Sequence, residues 1–151
     1  MPTLYRTQPI PSRIERAPIA VHCSDPRYQP HFQEFLEKGL GLDHYALIAV
    51  PGGAQLLVLE EYLPKFSWAG WRWLKFMVDL VDPARIVLIA HEDCRWYLDA
   101  RFGHNPARLR ERVVADLRHS SAGLKQKFGD KQVELYYASL SEDGSVSFET
   151  L

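Results

Sequence analysis

Five consecutive apolar residues, Ile86-Val87-Leu88-Ile89-Ala90, run directly into His91-Glu92-Asp93-Cys94. No other stretch constrains the fold as strongly. A short apolar run rich in β-branched residues, with no polar alternation, reads as a strand covered on both faces, as in parallel sheets. A histidine and a cysteine then leave its carboxyl end, the edge where open α/β sheets place their chemistry. A second stretch has the same form: Ala17-Pro18-Ile19-Ala20-Val21-His22 leads into Cys23-Ser24-Asp25-Pro26-Arg27. The rest of the chain is expected to act as the scaffold that brings these two strand ends together.

The intervening segments alternate in the way such a scaffold requires. Residues 1–16, with Pro2, Pro9, Pro11 and several arginines, are expected to form an irregular arm, and residues 17–151 a single domain. A strand over 18–22 is followed by a short helix that opens at Pro30, turns Phe32, Phe35 and Leu36 inward, and ends at Gly39 and Gly41. A second strand over 45–50 runs into Pro51-Gly52-Gly53, a turn that permits close backbone approach. A short helix is expected over 54–62. A stronger one begins near Ser67 as N-cap, with Trp71, Leu74, Val78 and Val81 on one face. Trp68, Trp73, Phe76 and Leu80 occupy its other side, so both sides should be buried, the second by another subunit or by the arm folded over it. After the His91 strand come a short helix over 95–102 and a cap at Asn105-Pro106. A long helix follows, striped by Leu109, Val113, Leu117, Leu124 and Phe128. Its arginines alternate with Glu111 and Asp116, which reads as a solvated face. A strand over 133–138, a turn at Glu142-Asp143-Gly144 and an edge strand over 145–149 complete the chain. The expected fold is α/β, a mainly parallel sheet of about four strands flanked by helices, with a C-terminal edge hairpin and right-handed crossovers.

The balance of 18 basic against 19 acidic residues, a net charge of −1, offers no basic surface for nucleic acid or a membrane. No apolar run reaches the length of a membrane span, and the first residues lack the apolar core of a signal peptide. A cytoplasmic protein is expected. In that compartment the two cysteines, Cys23 and Cys94, suit a metal site or free thiols better than a disulfide.

Two thiolates and an imidazole form a good zinc set. His91 and Cys94 leave one strand end together, and Cys23 would join from its neighbour. Three protein ligands leave a fourth position open for water, and zinc lowers the pKa of such a water toward neutrality, making hydroxide available. Asp25 and Arg27 stand close by. An arginine fork could hold the carboxylate so that it orients the water; released, Asp25 could instead ligate the metal and close the site. On composition alone, two buried cysteines and a strand-end histidine could also be core filling. His22 should point away from Cys23 and pack, while His31 and His44, in helix or loop, read as surface residues and His104 as a residue preceding a helix cap.

At these two motifs the chain resembles the β-class carbonic anhydrases, which carry C-x-[DS]-x-R after the first strand and H-x-x-C after the third. The resemblance spans about residues 17–150 and includes the final strand and hairpin. It implies zinc held by Cys23, His91 and Cys94, with an Asp25–Arg27 dyad that orients water. It further implies reversible hydration of carbon dioxide to bicarbonate and at least a homodimer. Three differences stand out. Arg95 occupies the place of a usual glycine, Val50-Pro51-Gly52-Gly53 replaces arginine-asparagine-alanine-glycine, and no residue takes the part of the family's arm glutamine. A zinc-binding protein without hydratase activity is the alternative, as is a hydrolase of a related small molecule such as carbonyl sulfide.

Overall fold

The computed structural model describes residues 4–9, 14–99 and 101–151. Part of the expected arm, 1–3 and 10–13, lies outside those residues, and 4–9 carry neither helix nor strand.

Among the described residues, five strands form one sheet: β1 (Ile19–Cys23), β2 (Ala46–Val50), β3 (Arg85–His91), β4 (Gln132–Leu140) and β5 (Val146–Thr150), in the order β2-β1-β3-β4-β5. The first four are parallel and β5 returns antiparallel to β4, as expected for an α/β fold closed by an edge hairpin. β1 is buried at all five positions because both its neighbours are strands and both sheet faces are covered. Alternation then divides the core. Ile19, Val21, Ile86 and Leu88 pack on one face with Leu74, Val78, Leu117 and Leu124. Ala20, Val87 and Ile89 pack on the other with Phe32, Leu36 and Tyr137. His22 pairs in register with Ile89, so the ends of β1 and β3 finish side by side.

Helix α1 (Gln29–Glu34) passes into a wider turn at Phe35–Gly39 and buries Phe32 and Leu36. Helix α2 (Pro64–Val81) starts three residues earlier than Ser67, with Pro64 in its first turn, where a missing N–H and a fixed φ cost nothing. Ser67 lies inside the helix and is buried; its hydroxyl donates to the Leu57 carbonyl at 3.3 Å, and Trp71 Nε1 donates to the same oxygen at 3.0 Å. The helix expected over 54–62 is a shorter 3-10 segment, Gly53–Val58. It lies tight on α2: a Cβ on Gly70 would stand 2.5 Å from Leu56 Cγ. Leu74, Val78 and Val81 of α2 are buried as expected, whereas Trp68, Trp73, Phe76 and Leu80, expected to be covered as well, are exposed in the single chain. Among the described residues of the segment over 95–102, the one helical element is a 3-10 turn, Arg95–Leu98. Helix α3 (Leu109–Lys127) follows a 3-10 turn capped by Asn105, whose side chain accepts from the Ala107 amide. Asp116 departs from the solvated reading: it is buried, paired with Arg112 at 3.0 Å, and accepts a long hydrogen bond from Gln55. No helix among the described residues is long and apolar enough to cross a membrane.

Across β3 and β4, Arg85 grips Glu134 with two hydrogen bonds of 2.8 Å, and Tyr136 donates to the same carboxylate at 2.9 Å. The Arg85 hydrogen bonds hold the Glu134 carboxyl below its ordinary value. A depressed carboxylate stabilises the fold above its unfolded pKa and loses that contribution as pH falls through its folded one. Replacing Glu134 with Gln should therefore cost about 1–2 kcal/mol near neutrality. Urea melts should show the gap between the two proteins closing in acid, where wild-type Glu134 becomes protonated.

Candidate metal centre

The cysteine of β1 and the histidine of β3 are the last residues of adjacent strands. Cys94 follows three residues later, after a tight turn in which Asp93 takes a left-handed conformation (φ 52°). One donor atom from each of Cys23, His91 and Cys94 lies within 4.8 Å of the others, and all three residues are buried. The sequence expectation that two distant segments converge is met in space.

The donor set is primed for a cation. His91 Nδ1 donates to the Glu92 carbonyl at 2.7 Å. That bond directs the lone pair to Nε2, which is buried and has no hydrogen-bond partner. Buried polar atoms are rarely left so, and a second ring nitrogen tied to a carbonyl is the usual arrangement of a metal-binding histidine. The two sulfurs stand 3.8 Å apart. The Cys94 thiol directed at Cys23 draws the latter well below its ordinary pKa, and the same contact, together with burial, pushes Cys94 up. One thiol ionises readily, while a second negative charge beside it needs a counter-cation. Soft sulfur and imidazole donors in this number fit zinc.

Neighbouring side chains and backbone hold Cys23 and His91 in place. The Cys23 carbonyl accepts from His22 Nδ1 at 2.9 Å and from Gln29 Nε2 at 2.7 Å. His22 thus packs as expected, its ring 4.6 Å from Phe32, and Tyr28 lies 4.2 Å from the His91 ring. The glycine turn after β2 presses on the same strand end. Gly53 has φ +56°, and a Cβ there would stand 2.9 Å from the His22 carbonyl carbon and 3.0 Å from the Cys23 nitrogen. At Gly52 the indole of Trp96 fills the space where a side chain would go.

Asp25 stays outside the donor group. Arg27 Nε donates to both its carboxylate oxygens, and Nη2 donates to Oδ2 at 2.6 Å. These bonds hold the Asp25 carboxyl below the usual carboxylate value, so near neutrality it only accepts. The rest of the Arg27 fork engages Asp93, through Nη1 to the carboxylate at 2.9 Å and Nη2 to the carbonyl at 3.0 Å. Asp93 and Gln29 are site residues that sequence reading passed over. Asp93 could have been noticed as the acid between His91 and Cys94, but nothing local in the sequence marks Gln29. Cys23, Asp25 and Arg27 line an open cavity of about 610 Å³, together with Pro51, Arg95 and Trp96. Arg95 lies at its rim, exposed and 3.3 Å from Asp93.

No family model matches this chain, and no curated protein matches it in sequence. Its fold does match solved structures. The β-carbonic anhydrase CafA of Aspergillus fumigatus aligns over 92% of this chain and 76% of its own, with a TM-score of 0.55 and 11% identity. A mutant of CafD, a β-carbonic anhydrase of the same fungus, aligns over 93% and 91%, with a TM-score of 0.53 and 14% identity. β-carbonic anhydrase isoform I of Trichomonas vaginalis aligns over 95% and 87%, with a TM-score of 0.50 and 13% identity. The chain therefore has a divergent β-carbonic-anhydrase-like fold. Within that fold lies a Cys-His-Cys group able to hold a metal ion.

Proposed function

We propose that this protein is a cytoplasmic zinc lyase that hydrates carbon dioxide reversibly to bicarbonate and a proton. The observation that carries the reading is the Asp25 carboxylate, held in the Arg27 fork on the wall of the cavity that Cys23 lines. Cys23 Sγ, His91 Nε2 and Cys94 Sγ would hold the zinc. Bound there, zinc supplies a Lewis acid that lets water ionise near neutral pH. Asp25 accepts a hydrogen bond from the attacking water and aims it, because an ionised carboxylate has no proton to donate. Arg27 keeps that carboxylate ionised and in place, and Asp93 keeps Arg27 in place. Pro51 and Trp96 offer apolar wall to a neutral gas, and Arg95 offers a positive charge at the rim to the anionic product. The ligand set, the dyad and the fold likeness support this reading together. Free thiols at both cysteines suit a reducing compartment. The near-even charge gives no reason to look for a nucleic-acid partner.

Stopped-flow measurement of carbon dioxide hydration by the zinc-loaded protein is the direct test. A rate well above buffer is expected. Its absence from neutral to alkaline pH would leave a zinc-binding protein without hydratase activity, the reading that Arg95 beside the metal ligands favours. Asp25→Asn should keep full zinc content and lower kcat by about 10–100-fold, the scale on which misplacing a reacting group acts. Unchanged turnover would remove Asp25 from the mechanism.

A further inference from the structure

Asp116 of α3 is buried, 5% exposed, and belongs neither to the donor group nor to the wall of its cavity. Taking a carboxylate out of water is costly, so a buried one is paired and hydrogen-bonded where it persists. Arg112, one turn earlier, offsets its charge at 3.0 Å. Its other oxygen accepts from the amide of Gln55, also buried, at 3.5 Å. The buried Tyr97 hydroxyl stands beside it as well: burial and this carboxylate hold the phenol well above its ordinary pKa, so it keeps its proton to donate.

Both neighbours lead to a cysteine. Gln55 lies in the 3-10 segment that begins at Gly53, the glycine that presses on the Cys23 main chain. Helix α3 holds that segment a second time, where Ser120 donates to the Ala54 carbonyl at 2.8 Å. Tyr97 stands in the 3-10 turn after Cys94 and donates its amide to the Cys94 carbonyl at 3.1 Å. The two cysteines are 71 positions apart in the chain, and one side chain reaches the supports of both. The carboxylate also turns the Gln55 amide. As a pure acceptor it takes the nitrogen, which leaves the Gln55 oxygen for the indole of Trp96. That oxygen and Trp96 Nε1 are buried without partners, and a Cβ on Gly52 would lie 3.0 Å from the first and 2.8 Å from the second. An unpaired acceptor and an unpaired donor thus flank the glycine turn.

We propose that Asp116 is a positioning residue for the metal centre: its carboxylate ties the segment behind Cys23 to the turn after Cys94 and so sets how the two sulfurs face one ion. It touches no metal donor itself and acts through Gln55 and Tyr97. The inference rests on the reading of Cys23, His91 and Cys94 as metal ligands. A carboxylate suits the task because it accepts from an amide, a phenol and a guanidinium together and offers no proton of its own. Asparagine keeps the shape but has one acceptor oxygen, and its NH2 would face a group that is itself a donor.

Two readouts on the full chain test it, neither of them turnover. Competition with a chromophoric chelator reads zinc affinity, and the cobalt(II) form reports the sulfur geometry through its thiolate-to-metal and visible bands. Asp116→Asn should weaken zinc by about tenfold, the low end of the range for outer partners of metal ligands, and should alter the cobalt spectrum. Gln55→Leu and Tyr97→Phe each cut one tie and should act in the same direction, less strongly. Adding either to Asp116→Asn should cost little more, because both ties pass through one carboxylate. Glu134→Gln is the control. It lies beside Arg85, the first residue of β3, whereas His91 is the last, and it should leave both readouts at wild type. The single-tie variants decide the matter if Asp116→Asn does not fold. Unchanged affinity and spectra in the Asp116, Gln55 and Tyr97 variants would overturn the proposal. So would losses that simply add, or an equal loss in Glu134→Gln, which would make the effect one of general stability. A wild type that takes up neither metal would overturn the ligand reading, and this inference with it.

Discussion

Cys94→Ser should fold normally and fail to keep zinc. The substitution exchanges sulfur for a smaller hydroxyl at a buried position, where the main chain on either side is already fixed. The Cys94 carbonyl accepts from the Tyr97 amide at 3.1 Å, and Glu92 donates its amide to the Ala138 carbonyl at 2.8 Å. Neither bond uses the thiol. The metal set loses more. Serine is a poor ligand because its hydroxyl remains protonated, whereas the Cys23–Cys94 pair of sulfurs loses protons when a cation arrives. Removing an outer-shell partner of a metal ligand costs about 10–100-fold in affinity, and loss of a ligand itself should exceed that range. Dialysis against a mild chelator followed by metal analysis should show wild type near one zinc per chain and the variant nearly empty. Near-UV circular dichroism should change little. Full occupancy in the variant would refute Cys94 as a ligand.

Gly53→Ala should damage the same site from behind. Two costs add. The left-handed backbone at Gly53 strains a residue with a side chain by about 1–3 kcal/mol. The added methyl must also enter space held by the main chain of His22 and Cys23 at 2.9 and 3.0 Å, and overpacking of that kind costs about 1–3 kcal/mol more. Gly144 provides the comparison, with φ +84° and nothing within 4 Å of the added atom. Gly144→Ala should therefore cost only the strain. Urea denaturation should place Gly53→Ala well below Gly144→Ala. Zinc competition titrations should show weaker binding for Gly53→Ala alone, because Cys23 has been moved. Equal losses for the two variants would show that the turn does not brace the strand end.

Much of this arrangement could be read from the chain before any coordinates. The run from Ile86 to Ala90 has no polar residue to expose, so it had to be a central strand, and what followed it had to emerge at the sheet's edge. The same logic applied to Ala17–His22 and brought Cys23 to that edge. The parts that escaped reading depend on partners distant in sequence. Ser67 looked like a helix cap because serine commonly is one, but the Leu57 carbonyl claims its hydroxyl, and Pro64 had already set the helix in motion. Asp116 looked solvated from its arginine neighbours, and only packing against the Gly53–Val58 segment puts Gln55 beside it. Gln29 sits on a helix whose pattern speaks only of Phe32 and Leu36, and its hold on the Cys23 carbonyl becomes visible once β1 and α1 are placed together. Periodicity reports which face is inward; it does not report which polar side chain reaches across to another element.

Of the three donors, Cys23 is the one on the cavity wall, while His91 and Cys94 lie behind it. Visitors from solvent on that side therefore meet sulfur before nitrogen. The guanidinium of Arg95 and the indole of Trp96 line that same open cavity. If the three donors hold a soft metal as proposed, a small inorganic anion drawn to it would reach it past the same residues, and blockade rather than remote control is the form of inhibition this side would invite.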